Sequence, residues 1–233
     1  MLMRNPCVAL FIGGLAACGG DGLEGDDPGT GTGTLRVNAD FVATPLVTNA
    51  RTATDFDTSL EVEVTRAGQP VTVDTIVVSS DAGDVTLTAS DTGARWRGAQ
   101  AGYYQAYRLT ILAGADEVRG VQVDGPALHY FTAPAPGATV DATMPLLVTW
   151  ESSEEAELAT IDTKQLDSIA IVDTGRYTIP VGGLKSKETE TESEQLRLDR
   201  AQRISPAGAV VGSDVRVMVR NEIELVVQPT GRL

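Results

Sequence analysis

Cysteine is nearly missing from this chain of 233 residues: the two present, Cys7 and Cys18, both fall within the first eighteen positions. A disulfide framework and a cysteine-ligated metal are thereby excluded from everything that follows. Histidine is scarcer still, with His129 alone, so a Ser-His-Asp triad would have to be built on that residue. There is no Gly-x-Ser-x-Gly elbow ahead of a helix and no HExxH zinc helix. Aromatic residues make up 5%. Basic residues are few: 18 Lys and Arg against 32 Asp and Glu leave a formal charge of −14. That balance argues against nucleic acid as a partner, since phosphates need clustered cations. It would also repel an anionic lipid surface, so membrane attachment has to come from something other than a basic patch.

Long apolar runs are lacking as well. The longest candidate, Cys7 to Ala17, has 11 residues, about 16 Å as a helix, where a bilayer core of roughly 30 Å needs about 20. Arg4 precedes it, Gly13 and Gly14 weaken it, and small residues follow. This is the layout of an export signal. The junction Leu15-Ala16-Ala17-Cys18-Gly19 resembles the lipobox of bacterial lipoproteins. The resemblance implies cleavage between Ala17 and Cys18, a diacylglyceryl group on the Cys18 thiol and acylation of its amine. Several chains, at about 0.8 kcal/mol per buried CH₂, hold where one chain gives marginal binding. It implies a membrane partner reached through lipid, and the outer membrane of a Gram-negative cell envelope, since Gly19 and not Asp follows the cysteine. Residues 1–17 are then a signal peptide and 18–34 a lipidated tether. Gly19 to Thr34 holds 7 glycines and four acids, too little apolar surface to fold. As a flexible coil its 16 residues would reach about 22 Å and lift a globular part off the membrane.

From Leu35 onward the period is two. Leu35, Val37, Ala39 and Phe41 alternate with polar neighbours, as do Leu60, Val62 and Val64, then Tyr107, Leu109 and Ile111. Turn sequences such as Ala67-Gly68 and Asp81-Ala82-Gly83-Asp84 separate the runs. The pattern predicts an all-β protein of sandwich or barrel type. A boundary at Gly125-Pro126 divides it into two tandem β-sandwich domains, 35–124 and 125–233, with no repeat by residue identity. The second half, with its Pro-Gly-rich entry, Val148-Thr149-Trp150 and Asp173-Thr174-Gly175-Arg176-Tyr177, resembles immunoglobulin-like and fibronectin-type-III-like modules. The first resembles, more loosely, prealbumin-like or carboxypeptidase-regulatory-like β modules.

Candidate chemistry is sparse. Trp96, Tyr103, Tyr104 and Tyr107 cluster in sequence, as aromatics do on sugar-binding β modules. Alternation instead favours Tyr107 and one of Tyr103 and Tyr104 as core, with Trp96 packed under a loop. Asp55, Asp57 and Glu61 sit on alternate residues like half a calcium loop, but Leu60 replaces the glycine that such a loop requires. Glu188, Glu190, Glu192 and Glu194 alternate with Thr and Ser; they are read as a solvated row on an exposed loop running into a strand at Leu196 and Leu198. His129 is read as a strand or domain-junction residue. No cofactor is expected beyond the lipid at Cys18. The resulting expectation is a non-enzymatic, membrane-anchored envelope protein with a structural, adhesive or assembly role, meeting an envelope protein or polysaccharide. The alternative is a displayed ligand-binding module, for carbohydrate or calcium.

Overall fold

A computed structural model describes residues 25–90 and 93–231. Cys18, Ala17 and the apolar run before them lie outside the described residues. In chain order the first set of strands is β1 (Thr30–Gly31), β2 (Leu35–Pro45), β3 (Phe56–Arg66), β4 (Gln69–Pro70), β5 (Thr75–Ser80), β6 (Gly83–Thr86), β7 (Thr88–Ala89), β8 (Arg95–Ala101), β9 (Ala106–Ala113) and β10 (Asp116–Asp124). The second is β11 (His129–Ala133), β12 (Thr139–Val140), β13 (Leu146–Ser152), β14 (Leu158–Asp162), β15 (Ile169–Ile171), β16 (Arg176–Ile179), β17 (Glu192–Ile204) and β18 (Asp214–Val227). One 3-10 turn, Ala53–Asp55, interrupts them.

Both sets follow one scheme. Seven main strands are arranged so that the first, second and fifth form one sheet: β2-β3-β8 in one half, β11-β13-β16 in the other. The remaining four lie in the order seventh, sixth, third, fourth: β10-β9-β5-β6 and β18-β17-β14-β15. Neighbours within these sheets are antiparallel. This is the Greek-key arrangement of immunoglobulin- and fibronectin-type-III-like sandwiches. A repeat invisible in residue identity is therefore plain in topology, because a sandwich asks only for alternation and turns.

The two sandwiches share a sheet. Strand β18 pairs with β17 along nearly its whole length, Val215↔Ile204 to Val227↔Glu192. Its first half also pairs in parallel with β2, Asp214↔Asn38 to Val219↔Ala43. One ten-stranded sheet thus backs both units: eight strands in the order β15-β14-β17-β18-β2-β3-β8-β7, with β12 paired to β18 and β4 to β3 off that path. Two smaller sheets pack side by side on its front. Along β18 the inward residues change partner without changing period. Val215, Val217 and Val219 enter the first core, Asn221 sits at the border, and Ile223, Leu225 and Val227 enter the second. Residues 214–219, numbered with the second half, complete the first sandwich.

The expected tether is pinned over its last ten residues. Gly25 N donates to Asp124 Oδ2 at 2.7 Å, and Asp124 N to Asp26 Oδ1 at 2.9 Å. Asp27 exchanges both backbone hydrogen bonds with Gln122. β1 then lies antiparallel on β10, and Gly33 N donates to Gly208 O in the β17–β18 hairpin loop. Composition predicted a coil because the segment has no apolar face; backbone pairing to an exposed strand edge supplies what burial does not. A side chain at Gly31 would run into the backbone of Glu117 and Gly208, and one at Gly29 into that of Arg119, which explains the glycines.

Candidate functional site

The chemistry of the described residues concentrates at the waist, where β10 passes through Gly125-Pro126-Ala127 into β11. The connection has four residues, of which these three are buried and Leu128 is half-buried. Tyr103 Oη donates to Pro126 O at 2.6 Å, and a Cβ on Gly125 would overlap that hydroxyl and Val217. Beneath them lies Arg200, fully buried on an inward position of β17. Its Nε donates to Asp173 Oδ2 at 2.8 Å and its Nη1 to Ala127 O at 2.6 Å and Ser152 Oγ at 2.7 Å; Nη2 reaches Glu154 O. Asp173 also accepts from Trp150 Nε1 at 2.9 Å and Ala156 N at 2.7 Å. Burial by itself pushes the Asp173 carboxyl up, but the Arg200 hydrogen bond and the other donors outweigh it and hold the group below its ordinary value of 3.8.

The border residue Asn221 is the second polar anchor. Its Oδ1 accepts from Ala50 N at 3.0 Å, and its Nδ2 donates to Ala50 O and His129 O, each at 2.7 Å. Nearby, Asn49 Nδ2 donates to Phe131 O and Asn49 Oδ1 accepts from Phe131 N. The loop after β2 is thereby stitched to β11. His129 is completely buried here, its Nε2 3.1 Å from Leu198 O and its Nδ1 without a partner. Burial, with Arg200 nearby, pushes its pKa down to about 3. Neither ring nitrogen meets a serine or a carboxylate, so no triad forms on it.

In front of the waist the two small sheets leave an open cleft of about 830 Å³ lined by Tyr104, Gln105, Asp81, Tyr130, Glu151 and Ser153, among others. The three aromatics that the sequence offered as ligand-binding candidates, Trp96, Tyr103 and Tyr104, are divided by it. Trp96 (6% exposed) packs in the first core, as does Tyr103 (5% exposed). Tyr103 borders the cleft from its buried position, and Tyr104, half-buried, is the more exposed of the two along it. Tyr107 is core, 5.4 Å from the Phe41 ring. Tyr130, opposite Tyr104, was not singled out; its hydroxyl donates to Glu151, and the Arg51 guanidinium stacks on its ring at 4.3 Å. The two tyrosines stand 26 positions apart in sequence, and only the turn into β11 brings them to one cleft.

The carboxylates Asp55, Asp57 and Glu61 do not converge. Asp55 Oδ2 accepts from Arg51 N and Thr52 N, closing the 3-10 turn, and those hydrogen bonds hold its carboxyl low. Asp57 is exposed on the outer face of β3. Glu61 meets Arg97 at 2.8 Å and Arg95 at 3.2 Å. Among the described residues no three His, Cys, Asp or Glu gather as a metal site.

The glutamate row is only partly solvated. Glu188 and Glu190 are exposed, but β17 begins at Glu192 and its alternation turns Glu194 inward. Glu194 is buried and accepts from Lys164 N and Lys185 N, both at 2.7 Å. Glu192 lies 3.3 Å from Lys164, 3.9 Å from Lys185 and 3.1 Å from Lys187. These are all the lysines of the chain; they converge on one carboxylate and are the cations that answer the row, and hydrogen bonds from Lys187 and Lys164 hold that carboxyl below its ordinary range. Sequence reasoning missed Arg200, Asn221 and these lysines. The available clue was a charged residue in phase with Leu196 and Leu198.

No protein-family model matches the chain, and no curated protein matches it. Among solved structures, the fibronectin(III)-like modules of Clostridium thermocellum CbhA are similar at 12% identity. The match covers 84% of this chain and 94% of that one, with a TM-score of 0.28. The superposition is too loose to add to the strand order, and the immunoglobulin-like sandwich assignment rests on that order.

Proposed function

We propose that this protein is a non-catalytic structural module of a bacterial cell envelope, held in the outer membrane by lipid on Cys18, with two sandwiches acting as one rigid body. The observation that carries the structural part is β18, which supplies inward residues to both cores. A flexible pair of domains would be joined by an exposed linker. Here the linker is buried, and Arg200, Asn49 and Asn221 bond across it. The anchor rests on the Leu15-Ala16-Ala17-Cys18 pattern. The intact mass of the N-terminal peptide after expression in a Gram-negative host, beside Cys18→Ala, tests it. A peptide that begins at Cys18 and carries acyl chains, lost in the variant, is expected; an unmodified N-terminus elsewhere overturns it.

The waist cleft favours a second reading, in which the same body presents a neutral saccharide site. Two tyrosine rings, the Gln105 amide, the Ser153 hydroxyl and the Asp81 and Glu151 carboxylates line it, a pairing of apolar faces with hydrogen-bonding groups that suits polyhydroxylated ligands. Binding to envelope glycans that falls at least tenfold in both Tyr104→Ala and Tyr130→Ala, with Tyr107→Phe unaffected, is the expected outcome.

A further inference from the structure

The strands of the shared sheet carry a second pattern on the face turned away from both cores. Register sets Leu158, Ala201, Met218, Val42, Ser59 and Ala99 side by side on six adjacent strands. All but Ser59 are apolar; Ala99 is exposed, and Leu158, Met218 and Val42 are half-buried. Two positions toward the tip of the first sandwich, Arg203, Arg216, Asp40 and Glu61 form the neighbouring row, with Arg216 Nε 2.7 Å from Asp40 Oδ1. Two positions the other way stand Asp199, Arg220 and Asp57. An apolar band is thus framed by charge across the middle of the sheet. The strap of residues 25–34 lies along β10 in a small sheet, and the waist cleft opens on the front, so neither meets this band.

We infer that two copies of the chain pack back to back on this face, about a two-fold axis parallel to the strands and between β18 and β2. The charged rows select a second copy as the occupant. The rotation keeps each level along the strands and exchanges β18 with β2 and β17 with β3. Arg216 therefore meets the partner's Asp40, and Arg203 meets the partner's Glu61, each contact occurring twice as an isologous interface demands. Arg216 and Asp40 of both copies form a neutral quartet, so opposite signs face each other although the chain as a whole carries −14. Beside them Met218 lies on the partner's Val42, and Ala201 on the partner's Ser59. Asp57 meets the partner's Asp199, a carboxylate already held by Arg220 at 2.8 Å and by Arg197 at 3.8 Å. Leu46 and Val47, at the end of β2, are 59% and 53% exposed. With Gln195, Glu222 and Lys164 they line an open groove of about 760 Å³, and the rotation carries the partner's Leu46 and the partner's Val47 to it. Six strands at about 4.8 Å by five residues at about 3.3 Å give roughly 500 Å² a side. The total of about 1,000 Å² reaches the lower limit of specific interfaces. Sheets packed face to face cross at about 30°, so the residues next to the axis, Arg216, Asp40, Met218 and Val42, carry the contact.

Sedimentation velocity of the unlipidated full chain tests this, in reducing buffer so that Cys7 and Cys18 form no bridge. An interface of this area is expected to populate a dimer by about 100 µM. Asp40→Arg sets two cations together across the axis, and Arg216→Asp sets two carboxylates together. Each variant alone should be monomeric, with the circular dichroism of the unmodified protein. Mixed in equal amounts, the two should recover the dimer, because each new charge then faces its opposite. Ser59→Glu, at an exposed position outside the charged rows, puts a carboxylate into the apolar band and should also abolish the dimer. An unmodified chain that stays monomeric at that concentration overturns the inference. So does a dimer that survives any one of the three substitutions, or a mixture of the two charge variants that fails to associate.

Discussion

His129 is the residue whose titration dominates near neutral pH, because no other histidine exists to share it. Its folded pKa is depressed to about 3 by burial, against about 6.5 in the unfolded chain. The unfolded state therefore binds one proton more between those values, and stability falls as pH drops below about 6.5 until it nears 3. Urea unfolding at pH 7, 6 and 5 is expected to show a slope approaching about 1.4 kcal/mol per unit in the lower interval. His129→Gln, which retains a donor toward Leu198 O, should flatten it. Asp173 acts in a lower window: its depressed pKa stabilises the fold above the ordinary carboxylate range, and that contribution goes as pH falls through the folded value. Arg200→Ala strands the buried Asp173 carboxylate and the Ala127 carbonyl. A loss of about 3–5 kcal/mol is expected, read from the urea midpoint; Arg200→Lys should recover little, since one ammonium cannot make the same forked set of bonds.

Among elements, β18 and β1 show how much depends on pairing. A proline at Val217 removes an amide from a strand bonded on both sides and costs about 3 kcal/mol or more. Because β18 serves both sandwiches, circular dichroism and tryptophan fluorescence of Val217→Pro should lose both units together, Trp96 lying in one core and Trp150 in the other. β1 is the opposite case. Gly31→Val puts a side chain into the backbone of Glu117 and Gly208, so the strap should detach while the sandwiches stay folded. Hydrogen exchange is expected to show lost protection at Asp27, Thr32 and Gly33, whose amides bond to Gln122, Glu117 and Gly208, with the amides of β9 unchanged. Protection retained at those three positions would mean that the strap tolerates the side chain.

For the whole molecule, the shared strand makes the two sandwiches one cooperative unit. The chain should unfold in a single transition, and a fragment ending at Asp124 should not reach the native state, because it lacks Val215, Val217 and Val219 from its core and the partner of β2. Two resolved calorimetric transitions in the intact chain would contradict this. The sequence by itself determined the all-β class, the positions of most strands and turns, the exclusion of disulfides and of a long membrane helix, and the lipobox-like junction at Cys18. Those properties are local: alternation, turn chemistry and composition are written within a few residues. The tertiary structure decided the rest. The alternation in VRVMVRNEIELVV states which residues face inward but not against which core, since every strand offers the same backbone donors and acceptors to any neighbour. The pairing of Asn38 in β2 with Asp214 in β18 closes a gap of 176 residues, which no local pattern records. The same reason hid the strap at residues 25–34, the burial of Glu194 and the meeting of Tyr104 with Tyr130. Each is set by a strand edge or a neighbouring unit distant in the chain, and by the hydrogen bonds that only folding brings into range.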